Sequence, residues 1–124
     1  AKKAVEAAVA SEEGNVVART GLARVYWLSG QGTEAEREVD AALKSGATYP
    51  PALLLKASIL ARKGDVPGAE KLVREAIELN PKDPATHALA GRAYEEAKDL
   101  VKAAAMYRKA WELNGEHYRE GIRE

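Results

Sequence analysis

The chain has 124 residues, a formal net charge of zero, no cysteine and 46% hydrophobic residues. This is one domain's worth of chain with enough apolar matter for a core; its neutral balance offers no basic footprint for nucleic acid, and the lack of cysteine removes disulfides, thiolate catalysis and most zinc sites. No apolar run approaches the roughly 18 residues that signal a membrane span, so a soluble protein is expected, and cytoplasm and periplasm suit it equally.

Residues 1–15 open the chain with Ala4, Val5, Ala8 and Val9 at helical spacing, which predicts a lone helix over 1–13. Residues 16–49 hold two helical stretches. Ala18, Leu22, Val25 and Tyr26 form the stripe of the first, and Gly30 follows it where a left-handed residue can end a helix. Residues 50–83 repeat the plan. Pro50-Pro51 opens the first stretch, Gly64 closes it, and Leu72, Val73, Ala76, Ile77 and Leu79 stripe the second. Asn80-Pro81 and Asp83-Pro84 bracket a short loop. Residues 84–117 form the third unit, and residues 118–124, with Tyr118 and Ile122, read as the start of a further helix or as a cap. Seven main helices and no strand are expected, two per complete unit plus the leading one. Because the chain begins and ends inside such units, a segment of a longer array is also expected.

The units align without gaps at a spacing of 34 residues. Ala35, Ala69 and Ala103 form one column, with Ala1 ahead of them, and Ala8, Ala42, Ala76 and Ala110 form another. Ala23, Ala57 and Gly91 make a column of small residues only. Tyr26, Leu60 and Tyr94 make an apolar column, as do Val5, Val39, Val73 and Tyr107, and Val9, Leu43, Ile77 and Trp111. Gly30 and Gly64 match, with Lys98 as the exception. A fixed period of this length is the mark of a repeat architecture. Small residues at regular places let two helices approach closely, so these side chains are packing devices rather than chemistry.

The columns resemble the tetratricopeptide repeat, whose pattern runs W-x2-L-G-x2-Y…A-x3-F…P. Gly91, Tyr94, Ala103, Tyr107 and Ala110 match it in the last unit, Ala57, Leu60, Ala69, Val73, Ala76 and Pro81 in the middle one, and Leu22, Ala23, Tyr26, Ala35, Val39 and Ala42 in the first. The large first aromatic is replaced by Arg19, Leu53 and His87, and the final proline by Gly115. The resemblance implies an all-α, right-handed solenoid of stacked antiparallel helix pairs, and a concave surface lined by the first helix of each pair.

Little catalytic chemistry is legible. His87 and His117 lie almost a repeat apart, without the i, i+4 spacing or inward carboxylates of a metal site. His87 reads as a structural histidine. Glu12-Glu13 and Glu95-Glu96 are adjacent pairs that diverge around a helix, so they read as solvated faces rather than as an acid–base pair. Gly30-Gln31-Gly32 ends a helix and is too short for a phosphate loop. No catalytic residue, metal or cofactor is expected, and the chain does not read as an enzyme.

Carried onto this sequence, the resemblance places Thr20, Arg24, Trp27, Leu54, Leu55, Ser58, Arg62, Leu89, Arg92 and Glu96 in the groove. Arg24, Ser58 and Arg92 share a column and form a polar rail. Trp27, Leu54, Leu55 and Leu89 supply an apolar floor. A peptide or partner helix with acidic and apolar side chains would suit such a surface, because guanidinium groups grip carboxylates with two prongs. Some members of the family clamp the terminal carboxylate of heat-shock chaperones with Lys, Asn, Asn, Lys and Arg. The matching positions here are Thr20, Arg24, Leu55, Ala85 and Leu89, so that use is disfavoured. Two readings stay open: a protein-interaction scaffold that works through its groove, and a structural spacer or self-assembling element that associates end to end and leaves the groove idle.

Overall fold

The computed structural model describes residues 12–45 and 48–123, with side chains described from 16 to 115. The described residues form six helices: α1 Glu12–Leu28, α2 Gly32–Ser45, α3 Pro50–Arg62, α4 Val66–Leu79, α5 Pro84–Glu96 and α6 Leu100–Arg123. They contain no strand. Helices α1 and α2, α3 and α4, and α5 and α6 pack as consecutive pairs, and α3 lies against α5 across the repeat boundary. The result is an all-α stack of helix pairs in the tetratricopeptide manner.

The turn inside each pair is built the same way three times. Gly30, Gly64 and Lys98 all take positive φ, at 82°, 97° and 63°. The next N–H in each case reaches back over the turn: Gln31 to the Tyr26 carbonyl at 2.8 Å, Asp65 to Leu60 at 2.9 Å, and Asp99 to Tyr94 at 3.0 Å. This closes the exposed carbonyls of the preceding helix. Lys98 therefore adopts the same left-handed turn as the glycines it replaces in its column.

The helix starts are fixed by side-chain caps and prolines. Asp65 accepts from the Gly68 N–H at 3.1 Å, Asp83 from Ala85 at 3.0 Å, and Asp99 from Lys102 at 3.2 Å. Each cap satisfies an N–H that the first helical turn cannot pair internally. Prolines occupy the first or second position of α3, α4 and α5, where a missing N–H does no harm.

The core follows the small columns. Ala23 and Ala57 are fully buried, as are Ala35, Ala42 and Ala76. Around them Leu53, Leu54 and Val73 form the main cluster, with Leu43, Leu60, Leu72 and Ile77 packed on its rim. A second cluster gathers Ala23, Ala35, Val39, Ala52 and Ile59 at the boundary of the first and second pairs. The third pair trades volume across its interface. Where the earlier pairs set Val39 and Val73 near alanines, Tyr107 lies against Gly91, and a Cβ added there would stand 2.9 Å from the phenol ring.

Several expectations are corrected. The leading helix, with Ala4, Val5, Ala8 and Val9, lies outside the described residues, as do the side chains of Tyr118 and Ile122. Residues 12 and 13, assigned to that helix, instead begin α1, which runs unbroken through Gly14-Asn15. Residues 118–123 do not start a new helix; they are the last turns of α6. Asn80-Pro81 ends α4, but the corresponding Asn114-Gly115 keeps its N–H, so the ladder continues. Val25 and Leu79, placed on apolar stripes, are largely exposed.

Lys98 provides a direct test of the turn. A residue with a Cβ in left-handed backbone costs about 1–2 kcal/mol that glycine avoids, part of which glycine returns as extra freedom in the unfolded chain. The Lys98→Gly variant should therefore be more stable by up to about 1 kcal/mol, read as a rise in the urea midpoint at unchanged slope.

Candidate functional site

The first helices of the three pairs converge on one open cavity of about 560 Å³. From α1 come Arg24, Trp27 and Leu28, from α3 Pro51, Leu54, Leu55, Ser58 and Arg62, and from α5 Leu89, Arg92, Glu95 and Glu96. Gly30 and Tyr107 complete the wall. Nine of the ten residues named from sequence are thus brought together. Thr20 is not. It is buried, and its hydroxyl donates to the Val16 carbonyl at 2.7 Å, one turn back in its own helix. Thr20 and Leu54 share a column, and that column turns inward. Leu54 is also buried, at 1% exposure, and meets the cavity only as the underside of its floor.

One arginine of the cavity is held on two sides. The Arg62 guanidinium lies 3.8 Å above the Trp27 ring of the preceding pair. On its other side it donates to both Glu96 oxygens of the following pair, Nε to Oε2 at 2.8 Å and Nη2 to Oε1 at 2.7 Å. The hydrogen bonds to Glu96 raise the Arg62 pKa above its ordinary value. A face-stacked and two-pronged guanidinium is held in one orientation. Because Arg62 is exposed, the ion pair itself is worth less than about 1 kcal/mol. Its main consequence is positional: Trp27, Arg62 and Glu96 tie three successive first helices along one edge of the cavity.

A second polar group closes the far end. Tyr107 donates its hydroxyl hydrogen to Glu95 Oε1. Burial first, and then the hydrogen bond to Glu95, push the phenol pKa up to about 12. The residue is therefore a neutral donor at physiological pH. The sequence placed Tyr107 in an apolar column with Val39 and Val73 and gave it no part in the groove. The available signal was the pairing of the largest residue of that column with the smallest of the facing one, Gly91. Arg24, by contrast, is exposed and has no carboxylate partner among the described residues.

Behind Trp27 and Arg62 lies a shallower hollow of about 370 Å³, lined by Glu36, Ile59 and Lys63 among others. Glu36 accepts from Lys56 at 2.8 Å and from Lys63, and Lys56 also meets Asp40 at 2.9 Å. The hydrogen bond from Lys56, then that from Lys63, lowers the Glu36 pKa. Desolvation opposes these bonds at Lys56, whose pKa is nonetheless raised by Glu36 and Asp40. These charges are satisfied by one another and tie α2 to α3. His87 is buried, with Nε2 donating to the Pro81 carbonyl at 2.8 Å, so it fastens the loop before α5. Among the described residues no group of three or more His, Asp or Glu side chains could hold a metal ion, and no described helix is long and apolar enough to cross a membrane.

Comparison with known proteins gives the same architecture by another route. The family model of the tetratricopeptide repeat matches residues 1–52, 20–84 and 54–115. No curated protein matches the chain.

The Tyr107 hydroxyl makes a pH-dependent contribution. Its folded pKa is raised from the ordinary value of 10.0 to about 12, so the stabilisation is complete below pH 10 and is lost as pH climbs through 12. Denaturant midpoints measured across that interval should fall less steeply for Tyr107→Phe than for the native chain. Parallel slopes would show that the hydroxyl is not held as described.

Proposed function

The chain belongs to the tetratricopeptide repeat family, and we propose that it is a protein-interaction scaffold that seats a peptide or partner helix in the cavity of its first helices. Repeats of this family generally mediate contacts between proteins. One observation carries the finer reading: the cavity joins an apolar floor from Trp27, Leu55 and Leu89 to guanidinium groups from Arg24 and Arg92. Such a surface favours a segment with both apolar and acidic side chains. Hydrophobic contact would supply most of the affinity, with Trp27 as the large anchor, since bound interfaces concentrate their energy in a few aromatic and arginine positions. The groove residues of this reading are Arg24, Trp27, Leu54, Leu55, Ser58, Arg62, Leu89, Arg92 and Glu96.

The experiment is a selection of displayed peptides on the native chain, followed by titration of the winners against variants. Trp27→Ala should weaken them by tenfold or more, equivalent to about 1.4 kcal/mol or above, and Leu55→Ala should weaken them as well. Lys71→Glu and Arg108→Glu, exposed on the second helices α4 and α6, should leave them unchanged. Circular dichroism controls for the fold. Winners that tolerate Trp27→Ala and Leu55→Ala but are lost with Lys71→Glu would place the interaction on the opposite surface.

A second reading, self-association through an end of the stack, is favoured by a different feature. Leu43 and Ile77 pack against the core, whereas Trp111 in the same column is 75% exposed, with Leu100 and Val101 exposed on the same helix. If this face joins a second copy, the sedimentation coefficient should rise with concentration and Trp111→Ser should abolish the rise. A native chain that sediments as a monomer at all concentrations excludes it.

A further inference from the structure

The two outward faces of the stack follow the plan of a junction buried inside it. Between the first and second pairs, α2 meets α3. Glu36 accepts from Lys56 at 2.8 Å, and Asp40 meets the same ammonium at 2.9 Å. Beside them Ile59 is 2% exposed, with Leu43 packed on its cluster. Shifted by the period, the α2 side of this junction falls on Ala104, Arg108 and Trp111 of α6, and the α3 side falls on Leu22 and Val25 of α1. These faces lie open among the described residues. Ala104 and Arg108 are exposed, Leu22 is only partly buried, and Trp111 and Val25 are 75% and 59% exposed. The link that seats α2 beside α3 lies between Ser45 and Pro50. The equivalent residues, 12–15, are helical in α1, so the turn that brings a second helix alongside is missing there.

We infer that the chain joins copies of itself head to tail, with α6 of one copy seated on α1 of the next as α2 is seated on α3. This rests on the self-association reading above and names the partner surface. The chemistry of the two faces matches. In the inner junction the Glu36 carboxylate is held by Lys56. On the outer faces Ala104 stands in the column of the acid and Leu22 in that of the ammonium, so an apolar pair replaces the charged one on both sides at once. Replacing one side alone would bury a charge without its partner, which is costly. Arg108 stands in the Asp40 column, and a lysine across from it would repel it; Leu22 does not. The junction of α4 with α5 already holds this combination, with Arg74 in the Asp40 column and Ala90 in the Lys56 column. Trp111 takes the place of Leu43 and Val25 that of Ile59, so the bare apolar side chains of the two ends cover one another. Because the two surfaces differ, every joined copy keeps one of each at its free ends, and growth does not stop at two.

The test is sedimentation velocity on the full chain over a wide range of concentration, with circular dichroism as the fold control. The native chain should grow past the dimer as concentration rises. Trp111→Glu spoils only the α6 face and Val25→Glu only the α1 face, and each variant alone should stay monomeric. Mixed in equal amounts, the two variants should form a dimer and nothing larger, because each retains one intact face. Ala104→Glu should weaken association by about tenfold. Adding Leu22→Lys to the same chain should restore it, by rebuilding at the outer junction the pair that Glu36 and Lys56 make inside. At concentrations where the chain is monomeric, Val25→Glu should leave the urea midpoint where it is. A midpoint that drops as for a core substitution shows that the chain covers its own α1 face, and overturns the inference. If Val25→Glu still associates, Trp111→Glu does not and the mixture gains nothing, α6 pairs with itself; head-to-tail joining is overturned and self-association stands. Failure of Leu22→Lys to recover what Ala104→Glu removes overturns the stated register. A native chain that is monomeric at every concentration overturns the two readings together.

Discussion

Close approach between helices is the constraint on which the rest depends. Two helices can touch along their length only if the facing side chains are small, and here the contact positions are Ala23, Ala57 and Gly91 on one side and Ala35, Ala69 and Ala103 on the other. Interiors are packed to crystal density, so an added methylene at such a place must push something aside. Gly91 shows the rule in its sharpest form. Its missing Cβ is the space that the Tyr107 ring fills, and through that ring the second helix of the last pair reaches the cavity on the face of the first helices. The fold and the cavity wall thus share one steric device.

Given that spacing, the turns and caps decide the rest of each unit. A left-handed residue ends each first helix, and an aspartate cap starts the helix after it at Asp65 and Asp99. Gly68 belongs to the same device. Any side chain there would collide with the Asp65 carboxylate, at 2.4 Å from a built Cβ, so the glycine keeps room for the cap. Between units the ties are polar as well as apolar. Lys56 and Lys63 converge on Glu36, and Arg62 bridges Trp27 to Glu96. Each exposed pair is weak alone. Together they resist sliding of one unit over the next, because every one of them crosses a helix boundary.

The same arrangement that orders the stack also distributes charge in the groove. Using Glu96 to hold Arg62 removes that guanidinium from easy reach of a ligand, and the Tyr107 hydroxyl holds Glu95. What remains toward α1 is an arginine beside an aromatic ring and leucines. The uneven charge of the cavity is therefore a by-product of how the repeats are tied to each other.

Nine of the residues that line the cavity were named through the family resemblance; the sequence by itself determined the helical class, the period and the positions of the turns at Gly30 and Gly64. These are properties of spacing: a column repeated every 34 residues puts equivalent side chains in equivalent places, whatever their neighbours. Thr20 was misplaced because a helix face seen in one dimension has no sharp edge; its column lies at the border of groove and core, and only the neighbouring helices turn it inward. Val25 failed for the opposite reason, since Ile59 in the same column is buried by α2 while Val25 stays largely exposed. The helix passing through Gly14-Asn15 and Gly115 was hidden because glycine weakens a helix without stopping it, unlike the proline of the earlier unit. Tertiary structure alone chose partners. Arg62 could have met any of several acids, and it meets Glu96 because stacking on Trp27 aims its fork across the groove, a direction set by packing and not by the order of residues.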